Sequence, residues 1–428
     1  MRESLLLTLR AAMRGRILVL LLGATGLIHW LMPEFVRSDG TAAGGFEMYV
    51  RAVPGFAAVV VQLAILCIAC GMFAREREEK RLALALTRPA SAFSIAVGKW
   101  LGLSAVAAVA LAFSSALLLA FPPDTIEKLP PCRHHYAPSL PPPEVTASHM
   151  LASYLQDPET PEAVKKAPKS AILALLTTKE QDRYDVVRPG DTMAWPYDID
   201  ALKAKMSAGE RLSLLVRFST QFEMRIPVAG GLSLGGYSAA VSNNTQSLIE
   251  IPFSRADGTN GTDGLCLKFS NTGKSAVMIR PRRDLEVLAP ADSFSWNLLR
   301  AQLEILSRAM LLAAYGLFLS AALSHPVAVF TALASFAVVL MVPSVIVQFP
   351  DEFHAPLADR IGLALSRCVR TVTSSVSTPS PVSDLATCRA VEWMPMLRVV
   401  AVNSLLAPCA LLAAAAFIVR RKPLADAS

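Results

Sequence analysis

Two short segments carry residue types that can do chemistry. Residues 271–275, Asn-Thr-Gly-Lys-Ser, end like a phosphate-binding loop, in which backbone N–H groups and a lysine hold the phosphates of a nucleotide. The full motif also needs a glycine five residues before Gly273, and that position is Lys268. The flanking residues alternate as in two strands, so we predict a turn here and no nucleotide site.

Cys132, His134 and His135 form the second segment, and these side chains are zinc ligands in many proteins. A structural zinc site needs a second pair of ligands, and only His149 follows nearby. We interpret the segment as a disulfide cysteine beside exposed histidines. Spacing identifies no nucleophile with a base and an orienting group, so the sequence predicts no metal, no cofactor and no enzyme.

The composition is that of a membrane protein. Hydrophobic residues make up 53% of the 428 residues and charged residues 18%, against about 25% charged in an average soluble protein. Six stretches approach the roughly 20 apolar residues that a membrane-spanning helix needs, and Glu34, at the end of the first, is their only Asp, Glu, Lys or Arg. They are 17–34, 55–74, 100–121, 309–324, 327–348 and 399–419. We therefore predict an α-helical polytopic membrane protein with six transmembrane helices, the fourth and fifth joined as a tight hairpin.

The distribution of charge predicts the orientation in the membrane. The tails 1–16 and 420–428 and the segment 75–99 together carry more than twice as many Lys and Arg as Asp and Glu. Such a basic excess marks the cytoplasmic side of the spans. We expect a multi-pass protein of the cell (inner) membrane, in contact with membrane lipid, with both termini cytoplasmic. This topology accounts for the basic pI, so we predict no binding to nucleic acid.

The spans divide the chain into three parts. Residues 1–121 contain three spans, 122–300 form an inserted extracytoplasmic α+β domain, and 301–428 contain three more spans with an outer loop at 349–398. Alternating runs separated by glycine-containing turns predict an antiparallel β-sandwich in the inserted domain. Predicted helices cover 145–156, 160–185 and, at the membrane interface, 296–308; predicted strands cover 211–219, 222–228, 246–253, 264–270, 275–281 and 285–289; predicted turns include Gly230-Gly231 and Gly235-Gly236.

Four cysteines fall outside the predicted spans, on the oxidising side of the membrane. Cys368 and Cys388 share one outer loop and can pair, while Cys132 and Cys266 can close a long loop in the inserted domain. Four cysteines allow three pairings, and the sequence does not choose among them.

Polar side chains within the predicted spans are candidates for lining a path or for hydrogen bonds between helices. They include Gln62 and Asn403, together with His29 and Tyr315. Proton- and ion-coupled transporters usually need an ionisable relay inside the membrane. Apart from His29 and the terminal Glu34, the predicted spans contain none, so we expect the energy for any transport to come from elsewhere.

Segment 75–99 has the pattern of a helix, a sharp turn and a second helix. Glu76 and Lys80 are opposite charges at i,i+4, which supports a helix. Pro89 ends it, because the residue before a proline disfavours helical angles, and Ser91 can cap the second helix. Two interpretations remain open. The element is either a charged helix lying on lipid headgroups or a rigid docking element for a cytoplasmic partner.

The same segment resembles the permease subunits of type-2 ABC transporters. Their pattern is E-[RK]-E-x-G-T-L-x-x-L-L-[ST]-x-P-[VI]-S-R followed by G-K-x-x-G. It is matched at Glu76, Arg77, Glu78, Leu82, Leu86, Thr87, Pro89, Ser91, Gly98, Lys99 and Gly102. The chain departs from the pattern at Lys80-Arg81 and at Ala92.

This resemblance implies a permease subunit that couples ATP hydrolysis by a separate ATPase subunit to the export or movement of an unknown substrate. In that family the segment docks onto the ATPase, which implies a docking role for Glu76, Arg77, Glu78, Leu82, Leu86, Pro89, Ser91, Gly98 and Lys99. It also implies a homodimer, or a heterodimer with a similar permease. The alternative is a membrane-anchored extracytoplasmic binding or scaffolding protein, in which residues 122–300 do the work.

Overall fold

The described chain divides into two compact units. The computed structural model describes residues 6–8, 10, 16–35, 42–79, 91–121, 129–158, 169–219, 226–245, 248–255, 265–348 and 381–425. The first unit combines residues before Pro131 with residues from Ser293 onward, and the second, here called the inserted unit, is Pro131–Asp292. Each unit has its own hydrophobic core.

The first unit is helical. With helices numbered along the whole chain, it contains α1 (Ile17–Phe35), α2 (Ala42–Glu78), α3 (Ala92–Ala120), α7 (Phe294–Ala322), α8 (His325–Gln348), α9 (Pro381–Ala386), α10 (Trp393–Ala401) and α11 (Ala407–Ala425). A π-helical turn, Val402–Leu406, joins α10 to α11. The short break between α7 and α8 confirms the predicted hairpin.

Among the described residues, four helical segments are long and apolar enough to span a membrane. They are Gly45–Glu78, Ala92–Ala120, Phe294–Ala322 and Trp393–Arg421. Shorter apolar stretches, Ile17–Met32 and His325–Val338, lie in α1 and α8. Four membrane-length helices are thus present, and the count of six spans stays a prediction.

Two helices of the first unit have the most neighbours: α2 contacts α1, α3, α7, α8 and α9, and α7 contacts α2, α3, α8, α9, α10 and α11. Helix α2 comes close to α7 at Gly316, where a Cβ atom would lie 2.6 Å from the Cβ of Ala69 and 2.9 Å from the carbonyl oxygen of Leu66. Small residues let helix backbones in a membrane approach each other, which brings many atoms into van der Waals contact. Gly316 is therefore required by packing.

The start of α7 differs from the prediction of an interfacial helix at 296–308. These residues belong to one continuous helix of 29 residues, so the predicted domain boundary at residue 300 falls inside a helix of the first unit. Trp296, Leu299 and Leu303 are exposed on one side, whereas Arg300 and Glu304 are buried on the other. An interfacial helix turns its polar face to water. This helix instead buries its polar face in the bundle.

Part of the predicted outer loop 349–398 also packs into the first unit. Helix α9 is buried, and Val382 lies in the core beside Gly55. The non-helical backbone that follows is held by Asn297, whose Nδ2 donates to the carbonyl oxygen of Arg389 (2.8 Å) and whose Oδ1 accepts from the backbone N–H of Val391 (2.7 Å). Irregular backbone inside a membrane protein needs such partners, because lipid supplies none.

The inserted unit combines short helices with antiparallel sheets. Its helices are α4 (Pro143–Gln156), α5 (Lys169–Gln181) and α6 (Asp200–Ser207). Its strands are β1 (Arg133–Tyr136), β2 (Asp185–Val187), β3 (Thr192–Pro196), β4 (Ser213–Arg217), β5 (Pro227–Leu234), β6 (Tyr237–Asn244), β7 (Leu248–Pro252), β8 (Ser254–Arg255), β9 (Cys266–Asn271), β10 (Val277–Ile279) and β11 (Leu285–Pro290). They form sheets in the orders β1-β11-β4-β7, β10-β2 and β3-β9-β5-β6-β8.

All three sheets contribute side chains to one core in the inserted unit. Leu214 and Val287 come from the four-stranded sheet and Trp195 from the five-stranded sheet, and the rings of Phe218 and Phe269 lie 5.2 Å apart between centroids. A shared core between sheets is what the predicted sandwich requires. The sandwich itself stays a prediction.

Several local predictions for the inserted unit need correction. The pair Gly230-Gly231 lies inside β5 and not in a turn. A glycine is needed at 230 because β9 is so close that a Cβ there would lie 2.5 Å from the carbonyl oxygen of Ser270. The predicted turn at Gly235-Gly236 does join β5 to β6, with Gly235 at φ +57°. The predicted helix at 160–185 is described only as α5, and the predicted strand 222–228 lies largely outside the described residues.

Candidate coupling site

The residues predicted to dock a partner lie at two helix ends. Glu76, Arg77 and Glu78 are the last residues of α2, while Ser91, Gly98 and Lys99 cap or form the start of α3. The remaining three, Leu82, Leu86 and Pro89, lie outside the described residues.

An ion pair joins the two helix ends. The Lys99 Nζ lies 2.5 Å from Glu76 Oε1 and 4.9 Å from the ring centroid of Phe73. The Lys99 side chain is only 8% exposed, and that of Glu76 is 36% exposed. A buried ammonium is costly unless it is paired, so Glu76 compensates the charge of Lys99. The two halves of the sequence pattern, around residues 76 and 99, thus meet in space.

Arg77 binds the end of α7. Its Nη1 donates to the carbonyl oxygen of Ala321 (3.1 Å), and its Nη2 donates to those of Ser320 (3.2 Å) and Leu323 (2.7 Å). The last carbonyls of a helix lack partners within the helix and carry partial negative charge. The guanidinium therefore satisfies both their hydrogen bonding and their charge.

Two further contacts join α2 to the hairpin between α7 and α8. Arg75 Nη2 lies 3.1 Å from His325 Nε2. The Ser320 hydroxyl oxygen accepts from the backbone N–H groups of Phe73 and Ala74, each at 2.9 Å. Sequence reasoning missed Ser320 and His325, since hydrogen bonds between residues some 250 positions apart leave no local pattern.

Ser91 is the N-cap of α3, as predicted. Its hydroxyl oxygen accepts from the backbone N–H of Ser94 at 3.1 Å. Further along α3, the indole N–H of Trp100 donates to the carbonyl oxygen of Met310 on α7 (2.8 Å). A Cβ at Gly102 would lie 2.7 Å from Thr8, so the second glycine of the pattern is a packing position.

The polar residues predicted inside the spans contact other helices. Asn403 is fully buried in the π-helical turn, and its Nδ2 lies 3.5 Å from Ser307 Oγ on α7. The His29 Nε2 lies 3.1 Å from the carbonyl oxygen of Ser114, and the Tyr315 hydroxyl lies 3.0 Å from Ser335 Oγ. These contacts favour the helix–helix interpretation. Gln62 is half-buried on α2.

The interior of the first unit contains charged residues, contrary to the prediction. Glu304 and Arg308 form an ion pair at 2.6 Å, with side chains only 9% and 10% exposed. Arg300 Nη1 donates to the carbonyl oxygen of Val391 (3.3 Å), and its guanidinium stacks 4.5 Å from the ring centroid of Trp393. The apolar runs used for prediction began after these residues, whereas the helix itself begins earlier. Their energetic cost is met by partners on neighbouring elements.

The chemical candidates of the inserted unit have structural partners. In the segment 271–275 the backbone N–H of Gly273 donates to Asn271 Oδ1 (2.9 Å), which confirms a turn. His135 Nδ1 lies 2.7 Å from Glu286 Oε2, and Arg133 pairs with Glu250, so His135 is not an exposed histidine. Within the described residues no group of three or more His, Cys, Asp or Glu is placed to hold a metal ion.

The cysteine predictions have different outcomes. Cys266 is a free thiol on β9, so it forms no disulfide with Cys132. Cys388 is among the described residues and has a φ of +54°. Cys368 is not among them, so the predicted disulfide between Cys368 and Cys388 lies outside the described residues.

Helices α2 and α3 of this site lie in the part of the chain that is similar to a known protein family. Residues 17–129 match the family described as ABC-2 family transporter protein. This part of the chain resembles the ABC-2 transporter family. The match covers α1, α2 and α3, including Glu76 and Lys99, and confirms the resemblance to type-2 ABC permeases. No curated protein and no solved structure matches the chain. Together with the four membrane-length helices, the match supports a transmembrane permease of an ABC transporter.

Proposed function

We propose that this chain is the membrane subunit of an ABC transporter and that a separate ATPase subunit drives it. The observation that carries the proposal is the family match over residues 17–129, within which the Glu76–Lys99 ion pair joins the ends of two membrane-length helices. The sequence between these ends, residues 80–90, is the coupling segment of the proposal. Displacement of that segment on ATP binding would tilt α2 and α3 together.

The docking contact with the ATPase is assigned to the exposed Glu78 and to Leu82, Leu86 and Pro89 of the coupling segment. An acidic residue followed in the sequence by leucines at 82 and 86 suits a partner surface that has both basic and apolar residues. In this proposal the protein lies in the cell (inner) membrane with both termini cytoplasmic. It acts as a homodimer or with a similar permease, and the inserted unit lies outside, where it receives the substrate or gates its exit.

Co-purification tests the docking assignment. The chain is isolated in mild detergent, and bound nucleotide-hydrolysing proteins are identified. Glu78→Lys combined with Leu82→Asp should abolish ATPase recovery while the permease still reaches the membrane. Glu47→Lys, at an exposed ion pair with Arg51 near the other end of α2, is the matched control and should retain the ATPase. Absence of any ATPase with the unaltered chain would contradict the proposal.

The binding or scaffolding alternative rests on one observation, the separate hydrophobic core of the inserted unit. If the inserted unit alone carried the function, the Glu78→Lys, Leu82→Asp variant would keep its cellular activity. Loss of activity in that variant, with membrane insertion intact, would instead favour the transporter.

A further inference from the structure

We propose that Arg75, Glu76 and Arg77 are positioning residues that fasten the end of α2 to three other helices. Through them α2, α3, α7 and α8 would move as one body when the adjoining coupling segment is displaced. This inference rests on the proposed function and refines it. It moves Glu76 and Arg77 from the docking surface to the inside of the permease.

The geometry of a helix makes such an arrangement efficient. Successive side chains of an α-helix point about 100° apart, so neighbouring residues at one helix end can bind different helices. Here Arg75 reaches His325 at the start of α8, Glu76 reaches Lys99 on α3, and Arg77 reaches the end of α7. Arg75 and Arg77 thus both bind the junction of α7 and α8, while Glu76 binds α3.

The ion pair between Glu76 and Lys99 on α3 differs from an exposed surface ion pair, because Lys99 is buried. Lys99 is almost fully buried, so its ammonium cannot exchange Glu76 for water. Sliding α3 along α2 would expose a buried charge to apolar surroundings. The ion pair therefore resists relative movement of the two helices that flank the coupling segment.

The contact with α7 fixes a different direction. Arg77 donates to three carbonyl oxygens at the end of α7. Several hydrogen bonds from one planar guanidinium fix the orientation of that helix end, which one hydrogen bond would not do. In addition, the Ser320 hydroxyl accepts from two successive backbone N–H groups of α2. The end of α7 thus has hydrogen bonds to both the side chains and the backbone of α2.

A double-mutant cycle tests the α2–α3 contact in the full-length permease without its ATPase. Thermal unfolding in detergent is measured for Glu76→Gln, Lys99→Met and the double variant. Glu76→Gln should lower the midpoint by about 4 °C or more, since it leaves Lys99 buried and unpaired, and the double variant should recover at least half of this loss. Glu47→Gln, at the exposed pair with Arg51, should change the midpoint by less than about 1 °C. Additive single effects would overturn the proposal.

Movement is tested in the complex with the ATPase. Spin labels are placed at Phe93 on α3 and Val327 on α8, two exposed positions outside the triplet, with the native cysteines replaced. A non-hydrolysable ATP analogue should leave the distance between the labels unchanged in the parent chain. In Glu76→Gln and in Arg77→Met the analogue should shift or broaden that distance, and Arg77→Lys should restore it only in part. A shift in the parent chain, or none in the variants, would overturn the proposal.

The two proposals fail in different ways. If no ATPase is recovered, the proposed function fails, and the unfolding cycle still reports on the triplet. If Glu76→Gln releases the ATPase as completely as the Glu78→Lys, Leu82→Asp variant does, Glu76 belongs to the docking surface and the positioning role is overturned. Recovery of the ATPase with Glu76→Gln, together with the altered distance, supports both.

Discussion

Three buried polar groups of the first unit have defined partners. Glu304 pairs with Arg308, Glu76 pairs with Lys99, and Asn297 bonds the backbone of the segment after α9. A polar group removed from water is stable only when its partner is present, so the energetic effect of a substitution depends on what it leaves unpaired.

Glu304→Gln should strongly destabilise the first unit. It removes the negative charge that compensates Arg308, and breaking a buried pair in this way costs about 3–5 kcal/mol. Chemical unfolding of the full chain in detergent measures the loss. Glu47→Gln serves as the control, because that carboxylate is exposed, and a loss of similar size in the control would contradict the argument.

Asn297→Leu should loosen the segment 387–392 selectively. The leucine is similar in size but can neither donate to Arg389 nor accept from Val391, and each unsatisfied buried group costs about 1–3 kcal/mol. Amide hydrogen exchange should therefore accelerate at 388–392. Equal protection of these amides in the variant and the parent chain would show that Asn297 does not hold the segment.

Tyr197 gives the inserted unit a dependence on alkaline pH. Burial, together with the nearby charge of Glu286, raises the pKa of its hydroxyl well above the usual value. Since the folded state holds this proton more tightly than the unfolded state, its stabilising contribution is complete below about pH 10 and falls as the pH rises further. Tyr197→Phe should reduce the loss of stability between about pH 10 and pH 11, relative to the parent chain. Identical pH profiles would contradict the assignment.

The helices explain which sequence predictions succeeded. Uninterrupted apolar runs predicted the positions of the membrane-length helices, because lipid demands such runs. The runs did not predict that the helix expected at 296–308 buries its polar face in the bundle or that α9 is buried, since both depend on partners distant in sequence. Ser91 could be assigned as a cap because its partner, Ser94, lies three residues away. The partners of Arg77 lie some 245 residues away and could not.

Helix packing can be tested at Gly316. Replacing it with valine places a Cβ and two methyl groups against Ala69 and Leu66, which should cost about 1–3 kcal/mol as the helices separate. Thermal unfolding of the purified chain measures this. Gly23→Ala on α1 is the matched control, because nothing lies within 4 Å of the position that the new Cβ would take, and it should be neutral or stabilising. Similar losses for both variants would contradict the packing argument.

At the scale of the whole molecule, each of the two described units has a hydrophobic core of its own. The sequence predicted an inserted domain from the change of hydrophobic period, and most of its later strands were predicted within a few residues. Strands β1, β2 and β3 were missed, because each is short and lies among prolines or charged residues. Their pairing with β11, β10 and β9 comes from distant parts of the domain. Strands β5 and β6 were also missed, because the pair Gly230-Gly231 was interpreted as a turn.

The independent core predicts that residues 131–292 fold alone. Expressed without the membrane helices, the fragment should show the circular dichroism of a sheet-rich protein and a cooperative thermal transition. Phe269→Asp, which introduces a charge into the core, should abolish that transition. A fragment that stays unfolded under all conditions would show that the inserted unit depends on the rest of the chain.

The π-helical turn at 402–406 changes which residues of the last helix face inward. Along this helix the buried positions step from Asn403 to Pro408 and then to Leu412, so the first interval is five residues and the next is four. The π-helical turn contains one more residue than an α-helical turn, so that Asn403 and Pro408 lie on the same side of the helix. Deleting one residue from the turn would rotate everything after it by about 100°, turning Leu412 toward the lipid. Helix α11 would still form after such a deletion, but it would present different residues to α7.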